Sequence, residues 1–319
     1  VFKPHKLAII GLGHVGSAVL ARAIACQLAA DIACIDIKPE VAHGEALDAV
    51  HSLSCSYVPG IHVHSGGFEE CRDADVIICD AGPSILPGQK MDRLTLAKEN
   101  IAVIREVMKN VTQYTREAVF IMITNPLDIT TYVAATEFDY PVGRLFGTGT
   151  TLETMRLKSI IGRHYHVDAA DVQGYMLGEH GNSAFPAWST VNIGGVPLAG
   201  LDEFYDHEQA FDRQEIAQEV VNTAYDVVQS KGWTNTGIAM GACRLAKAVL
   251  FDEHAVLPVS MPFNGEYGLT DVALSLPSII GKNGVEKRIP LHLPADELEM
   301  MKKSAESVKS VMRANQVID

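Results

Sequence analysis

The sequence predicts an α/β protein, with a doubly wound parallel sheet followed by a second, α+β domain. Two observations point there. From residue 6 to about residue 146, short β-branched or apolar runs alternate with longer helical stripes, the pattern of βαβ units. After Gly147 that alternation gives way to a helix near Leu152, shorter strand-like runs at 172–177 and 189–193, and hairpin-like segments rich in Gly and Pro. A chain of 319 residues also exceeds what one core usually organises, so we expect two domains, 1–146 and 147–319.

The elements follow in order. Candidate strands lie at 7–10, 32–35, 61–64, 76–79, 119–123 and 144–146. The clearest helix starts near Leu94, where Ala97, Ile101, Ile104, Met108 and Val111 recur at spacings of four and three and so share one face. Residues 295–314 are charged with spaced apolar positions, as in a helix packed on a surface.

Composition narrows the function classes. With 47% hydrophobic and 20% charged residues, the chain buries a large interior and is not disordered. No charge-free apolar run reaches the roughly 18 residues a membrane span needs. Twenty-six basic against 39 acidic residues give a net charge of −13, which disfavours nucleic acid and anionic membrane surfaces as partners. Cys26, Cys34, Cys55, Cys71, Cys79 and Cys243 form no CxxC and no metal-like pairing with His, so free thiols, no metal site and a cytoplasmic location are expected. Lys3, His5 and Lys6 lead directly into a strand pattern, without an export signal.

The first chemical motif is GLGHVG. Gly11, Gly13, His14, Val15 and Gly16 follow the apolar run LAII and open a helix carrying Val19, Ile24 and Leu28. Glycines here allow a tight turn and close backbone approach, and the helix N-terminus offers free amides and a positive dipole end to a pyrophosphate. Asp36 follows Gly16 by twenty residues at the end of the second strand, where its carboxylate accepts from ribose hydroxyls and repels a 2′-phosphate. The expectation is a Rossmann domain binding NAD rather than NADP. Such domains serve reductases and sensors alike, so the chemistry must be read elsewhere.

Four further motifs carry it: TNPLD with Asn125, TLETMR with Glu153 and Arg156, GEHGNS with His180, and AGPSILPGQKMDRL with Arg93. Together with GLGHVG and KGWTNTGIA, in this order, they resemble the L-2-hydroxy acid dehydrogenase branch of the lactate and malate dehydrogenase family over essentially the whole chain. Within it, the GEHGNS form is similar to the hydroxyisocaproate branch.

The resemblance implies a role for each residue. His180 exchanges a proton with the substrate oxygen, which needs a group with a pKa near neutrality. Glu153 stands where the family usually has Asp and holds the second imidazole nitrogen, with an arm longer by roughly 1.3 Å, where a misplacement of about 1 Å is already costly. Arg156, one helical turn on, grips the substrate carboxylate with a planar two-pronged group. Arg93 follows a loop of turn formers that acts as a lid and brings a cation to the carbonyl oxygen; Lys90 is the alternative. Asn125 orients the nicotinamide or the substrate oxygen, or simply forms an Asn-Pro turn. Ile85 faces the substrate side chain, Thr234 closes the pocket, and Ile238 backs the nicotinamide. Ala81 and Gly82 border the dinucleotide, while Asp80 before them departs from the usual Thr or Ser. Lys158 and Gln173 match positions where some relatives bind a regulatory sugar bisphosphate through a basic residue and a His, so that regulation is not expected here.

An apolar Ile85 argues against a second substrate carboxylate, hence against malate. The expectation is an NAD-dependent enzyme interconverting an L-2-hydroxy acid and a 2-oxo acid with an apolar side chain, 2-oxoisocaproate-like, with pyruvate possible. The alternatives are a conventional L-lactate dehydrogenase with an unusual lid and, in another class, a catalytically silent NAD-binding sensor. A homo-oligomer, tetramer or dimer, is implied by the family.

Overall fold

The computed structural model describes residues 4–54, 60–83 and 94–319, together with the backbone of Arg93. Six strands, β1 (Lys6–Ile10), β2 (Asp31–Ile35), β3 (His62–Ser65), β4 (Val76–Cys79), β5 (Val119–Met122) and β6 (Leu145–Gly147), pair in parallel in the order β3-β2-β1-β4-β5-β6. That is the doubly wound order, with its switch point between β1 and β4. Every residue of β1, β4 and β5 is buried, because helices cover both sheet faces.

Alternate residues divide the core in two. Leu7, Ile9, Val76 and Ile78 pack with α1 (His14–Ala25) and α2 (Pro39–Leu53), whereas Ala8, Ile10, Ile77 and Cys79 pack with α3 (Arg93–Val111) and α4 (Leu127–Glu137). The stripe read from the sequence of α3 is fully inside: Ala97, Ile101, Ile104, Met108 and Val111 are all buried.

The second half starts with α5 (Thr151–His164), then short strands β7 (Val172–Gln173), β8 (Met176–Leu177), β9 (Phe185–Pro186), β10 (Asn192–Ile193) and β11 (Val196–Pro197). The strand expected at 189–193 shrinks to β10, since Trp188–Thr190 form a 3-10 turn. Helices α6 (Leu201–Phe204), α7 (Arg213–Lys231) and α8 (Thr236–Leu250) precede β12 (Ala255–Asn264), β13 (Thr270–Gly281) and β14 (Gly284–Arg288), and α9 (Ala295–Ala314) ends the fold.

These last strands extend the first sheet. β12 pairs antiparallel with β6 through Ser260 and Gly147, and β13 and β14 follow, so one nine-stranded sheet runs through the sequence boundary. Helix α8 returns to the first half as well: Ile238, Ala242, Leu245 and Val249 share a core with Val19 and Ala23 of α1.

Candidate active site

The turn after β1 is built by close approach. Gly11 has φ +90°, and a Cβ there would stand 2.6 Å from the Asp80 carbonyl oxygen; one on Gly16 would stand 1.8 Å from the Gly11 carbonyl oxygen. Neither position admits a side chain. Gly13 differs: nothing lies within 4 Å of a Cβ built there, and it caps α1 without a side-chain hydrogen bond. The helix therefore presents its first amides past a bare glycine, a cradle that fits a pyrophosphate.

Asp36 is tied into this turn. Its Oδ2 accepts from Leu12 N at 2.8 Å and its Oδ1 from Lys38 N at 2.9 Å, which fixes the carboxylate while each oxygen keeps a lone pair for a hydroxyl donor. Val15 is half-buried behind the turn. The exposed His14 ring stacks on Trp233, with centroids 4.0 Å apart and planes 4° apart, and Asn235 Nδ2 donates to His14 O at 3.4 Å. The KGWTNT segment is thus held over the start of α1. Thr234 is half-buried within that segment, and Ile238 is buried in the first turn of α8 beside Leu152.

Across the switch point, Ala81 O accepts from Thr124 Oγ1 at 2.8 Å. Gly82, at φ +131°, lies so close to Asn100 that a Cβ would meet Oδ1 at 2.3 Å. Buried Asn100 donates to Pro83 O at 3.0 Å and to Asn125 O at 2.6 Å, joining the loop after β4 to the loop after β5. Asn125 itself is exposed at that junction. Burial pushes the Asp80 carboxyl up to about 7 although Gly16 N–H donates to it, so this acid under the glycine turn is only partly ionised at neutral pH. Ile85 and Lys90 lie outside the described residues, as does the Arg93 side chain.

The second cluster gathers on α5. Glu153 is buried in its first turn, and Arg156 Nη1 lies one turn further at 3.8 Å from Glu153 Oε1. His180 Nδ1 approaches the same oxygen at 2.9 Å. The contact is an ion pair without a well-aligned hydrogen bond, and Glu153 Oε2 has no hydrogen-bond partner among the described residues. The longer glutamate arm thus still delivers its charge to the imidazole. The backbone around His180 is pinned from three sides. His180 N donates to Asp128 Oδ2 at 2.7 Å, and Asp128 Oδ1 accepts from Ser260 Oγ at 2.6 Å. Glu179 N lies 2.7 Å from Ser304 Oγ of α9, and Ser275 N donates to Gly178 O at 2.9 Å.

These charges set the protonation of the site. Burial alone would lower the His180 pKa, but the Glu153 carboxylate and then Asp128 outweigh it and raise it to about 9. Burial likewise acts to raise Glu153, yet His180 and Arg156 hold it below the usual carboxylate range. Burial raises Asp128 to about 7, against the hydrogen bond from Ser260. Burial lowers Arg156, with Glu153 opposing. The result is a charged imidazole whose free nitrogen, Nε2, is available to a proton acceptor beside a guanidinium. Such a pair can bind a carboxylate and move a proton to an adjacent oxygen.

The expected residues thus fall into two groups, the glycine turn with Asp36 and the Glu153–Arg156–His180 cluster. Asp128, Ser260 and Asn100 were not singled out from the sequence. Only Asp128 carries a signal there, as the acid that ends the TNPLD motif. A cavity of about 370 Å³ lined by Val167, Asp171, Gln173, Asn192 and Tyr205 shares no residue with either group. Asp171 in its wall makes it a poor home for an anion.

Residues 5–147 match the family described as lactate/malate dehydrogenase, NAD binding domain, and residues 150–316 match its alpha/beta C-terminal domain. The chain is 46% identical over 312 residues to L-lactate dehydrogenase 2 of Clostridium acetobutylicum, covering 98% of each. It is 48% identical over 307 residues to L-lactate dehydrogenase of Selenomonas ruminantium, covering 96% of each. Among solved structures, the minor L-lactate dehydrogenase from Enterococcus mundtii superposes with a TM-score of 0.91 at 38% identity, over 97% of this chain and 98% of that one.

Proposed function

The chain belongs to the lactate/malate dehydrogenase family, and from that premise we propose that it interconverts pyruvate and L-lactate. It is an NAD-dependent oxidoreductase acting on the CH–OH group of a 2-hydroxy acid, which sets aside the silent sensor. The choice of pyruvate rests on relatives at 46–48% identity that are named L-lactate dehydrogenases. Nothing comparable supports 2-oxoisocaproate, so the conventional lactate enzyme becomes the main reading.

The observation that carries the chemistry is the 2.9 Å approach of His180 Nδ1 to Glu153 Oε1 with Arg156 one turn away. NAD, when bound, supplies or accepts the hydride. In our reading Arg156 takes the substrate carboxylate, His180 gives its Nε2 proton to the carbonyl oxygen during reduction, and Glu153 stabilises the imidazolium and fixes its tautomer. Arg93 is assigned to the carbonyl oxygen and Ile85 to the substrate side chain, while Thr234 and Ile238 bound the reacting end. Gly11, Gly13, His14, Val15, Gly16, Asp36, Ala81, Gly82 and Asn125 are assigned to the dinucleotide. The division into a dinucleotide domain of 1–146 and a substrate domain of 147–319, and a homo-oligomeric state, are likewise proposals; sedimentation checks the latter.

The test is NADH consumption with pyruvate, 2-oxoisocaproate and oxaloacetate. Pyruvate should give the highest kcat/KM, and oxaloacetate should suffer from an uncompensated second carboxylate. A higher value for either competitor overturns the substrate assignment.

A further inference from the structure

Two histidines and an aspartate meet at the sheet edge that begins β2 and β3, where none of the assigned site residues lies. β3 is the edge strand, and its register pairs His62 with Asp31 and His64 with Ala33. Paired residues share a face and so do residues two apart on a strand, which puts Asp31, His62 and His64 on the same side. Asp31 Oδ1 lies 3.0 Å from His62 Nδ1 and 3.1 Å from His64 Nε2, and the three ligating atoms fall within 4.8 Å of one another. A tetrahedral zinc ion with bonds of about 2.0–2.1 Å spaces its donors about 3.3 Å apart. Two of the three distances are already near that value.

The surroundings suit a cation. Glu70 Oε2 stands 3.9 Å from His64 Nε2, anchored by Lys6 Nζ at 2.8 Å, and Lys6 also binds Asp73 Oδ1 at 2.8 Å. Carboxylates therefore outnumber the single lysine around the imidazoles. The His62 side chain is 72% exposed, so it can swing the remaining distance and leave room for water, while His64 at 23% is held. A second cluster, Asp252, His254 and Glu286, offers only one imidazole and makes a weaker set.

We propose that Asp31, His62 and His64 form a three-ligand site for a borderline divalent cation, Zn2+, with water completing the tetrahedron. The ion would stitch the edge strand to its neighbour. It takes no part in proton or hydride transfer, and its role is structural. No ligand spacing in the sequence announces the site, because Asp31 is brought in from 31 residues away by strand pairing.

Equilibrium dialysis of the full chain against Zn2+ after chelator treatment tests this. One ion per chain should bind with a Kd in the micromolar range, and H62Q/H64Q should weaken it at least tenfold, whereas H254Q should not. At about 100 times Kd, Zn2+ should raise the unfolding midpoint by about 4 °C in the wild type and leave H62Q/H64Q unmoved. Co2+ in place of Zn2+ should give tetrahedral visible bands without a thiolate charge-transfer band. If H62Q/H64Q is poorly folded, D31N supplies the comparison and should likewise lose affinity. Absence of binding tighter than about 100 μM, unchanged binding in these variants, or a thiolate band that moves the ion to a cysteine would each overturn the proposal.

Discussion

Replacing Glu153 with Gln removes a charge while keeping the shape of the arm that reaches His180. In the wild type the imidazole pKa is raised from 6.5 to about 9, with Glu153 the largest of the groups that raise it. At 1.36 kcal/mol per pKa unit, this corresponds to about 3 kcal/mol favouring the imidazolium. Without the carboxylate, burial is opposed only by Asp128, and the pKa should fall to about 6.5 or below. Reduction of pyruvate needs the protonated ring, so wild-type kcat/KM should stay level through neutrality and fall as pH rises through about 9. In Glu153→Gln the same fall should come near pH 6.5. Around pH 7.5 the protonated fraction then drops from nearly all to about one tenth, a loss of about tenfold from protonation alone. A loss that persists near pH 6 measures the orienting role separately. The assay is the pH profile of kcat/KM for pyruvate under saturating NADH. A descending limb that stays at about 9 in the variant would refute the assignment of Glu153.

Further perturbations read other parts of the molecule. Arg156→Lys keeps the charge but loses the two-pronged grip, and kcat/KM for pyruvate should fall about a hundredfold, mostly through KM. Gly16→Ala drives a methyl to 1.8 Å from the Gly11 carbonyl oxygen and should cost about 3 kcal/mol or more in thermal unfolding. Gly13→Ala meets nothing within 4 Å and should stay within about 1 kcal/mol of wild type while weakening NADH, as a fluorescence titration would register. Asp80, raised to about 7 by burial, is mostly neutral at pH 6 and mostly ionised at pH 8, so NADH affinity should decline about tenfold over that interval. Asp80→Asn should flatten the decline.

Strands β1, β2, β4, β5 and β6 were legible because parallel strands buried on both faces read as short continuous apolar runs, whereas β3, the edge strand with only Val63 buried, was legible through its place in the alternation. The stripe of α3 and the span of α9 were legible from helical periodicity. The long hairpin β12–β13 was not: Pro258, Pro262 and Pro277 sit inside it, and proline within an apolar run argues against a strand. Here Pro258 faces Pro277 across the pair, and their carbonyls turn outward, accepting from Thr151 Oγ1 at 2.8 Å and from Ile289 N at 2.8 Å, so neither ring removes a ladder bond between β12 and β13. At the site, Glu153 and Arg156 are legible as one helical turn, and His180 through its motif. The supports of His180 are not, since Asp128 is 52 residues from His180 in sequence and 132 from Ser260. Local pattern carries no information about partners at such separations.

Helix α8 fills the core between α1 and the sheet, and β12 zips onto β6, so the first half of the chain completes the core on its α3–α4 face by itself but not the one on its α1–α2 face. During synthesis, Val19, Ala23 and their neighbours must wait for residues 236–264 before water leaves their surface. The α1 face of the nascent first half therefore lacks part of its apolar cover for about a hundred residues of elongation, the stage at which exposed apolar surface invites aggregation.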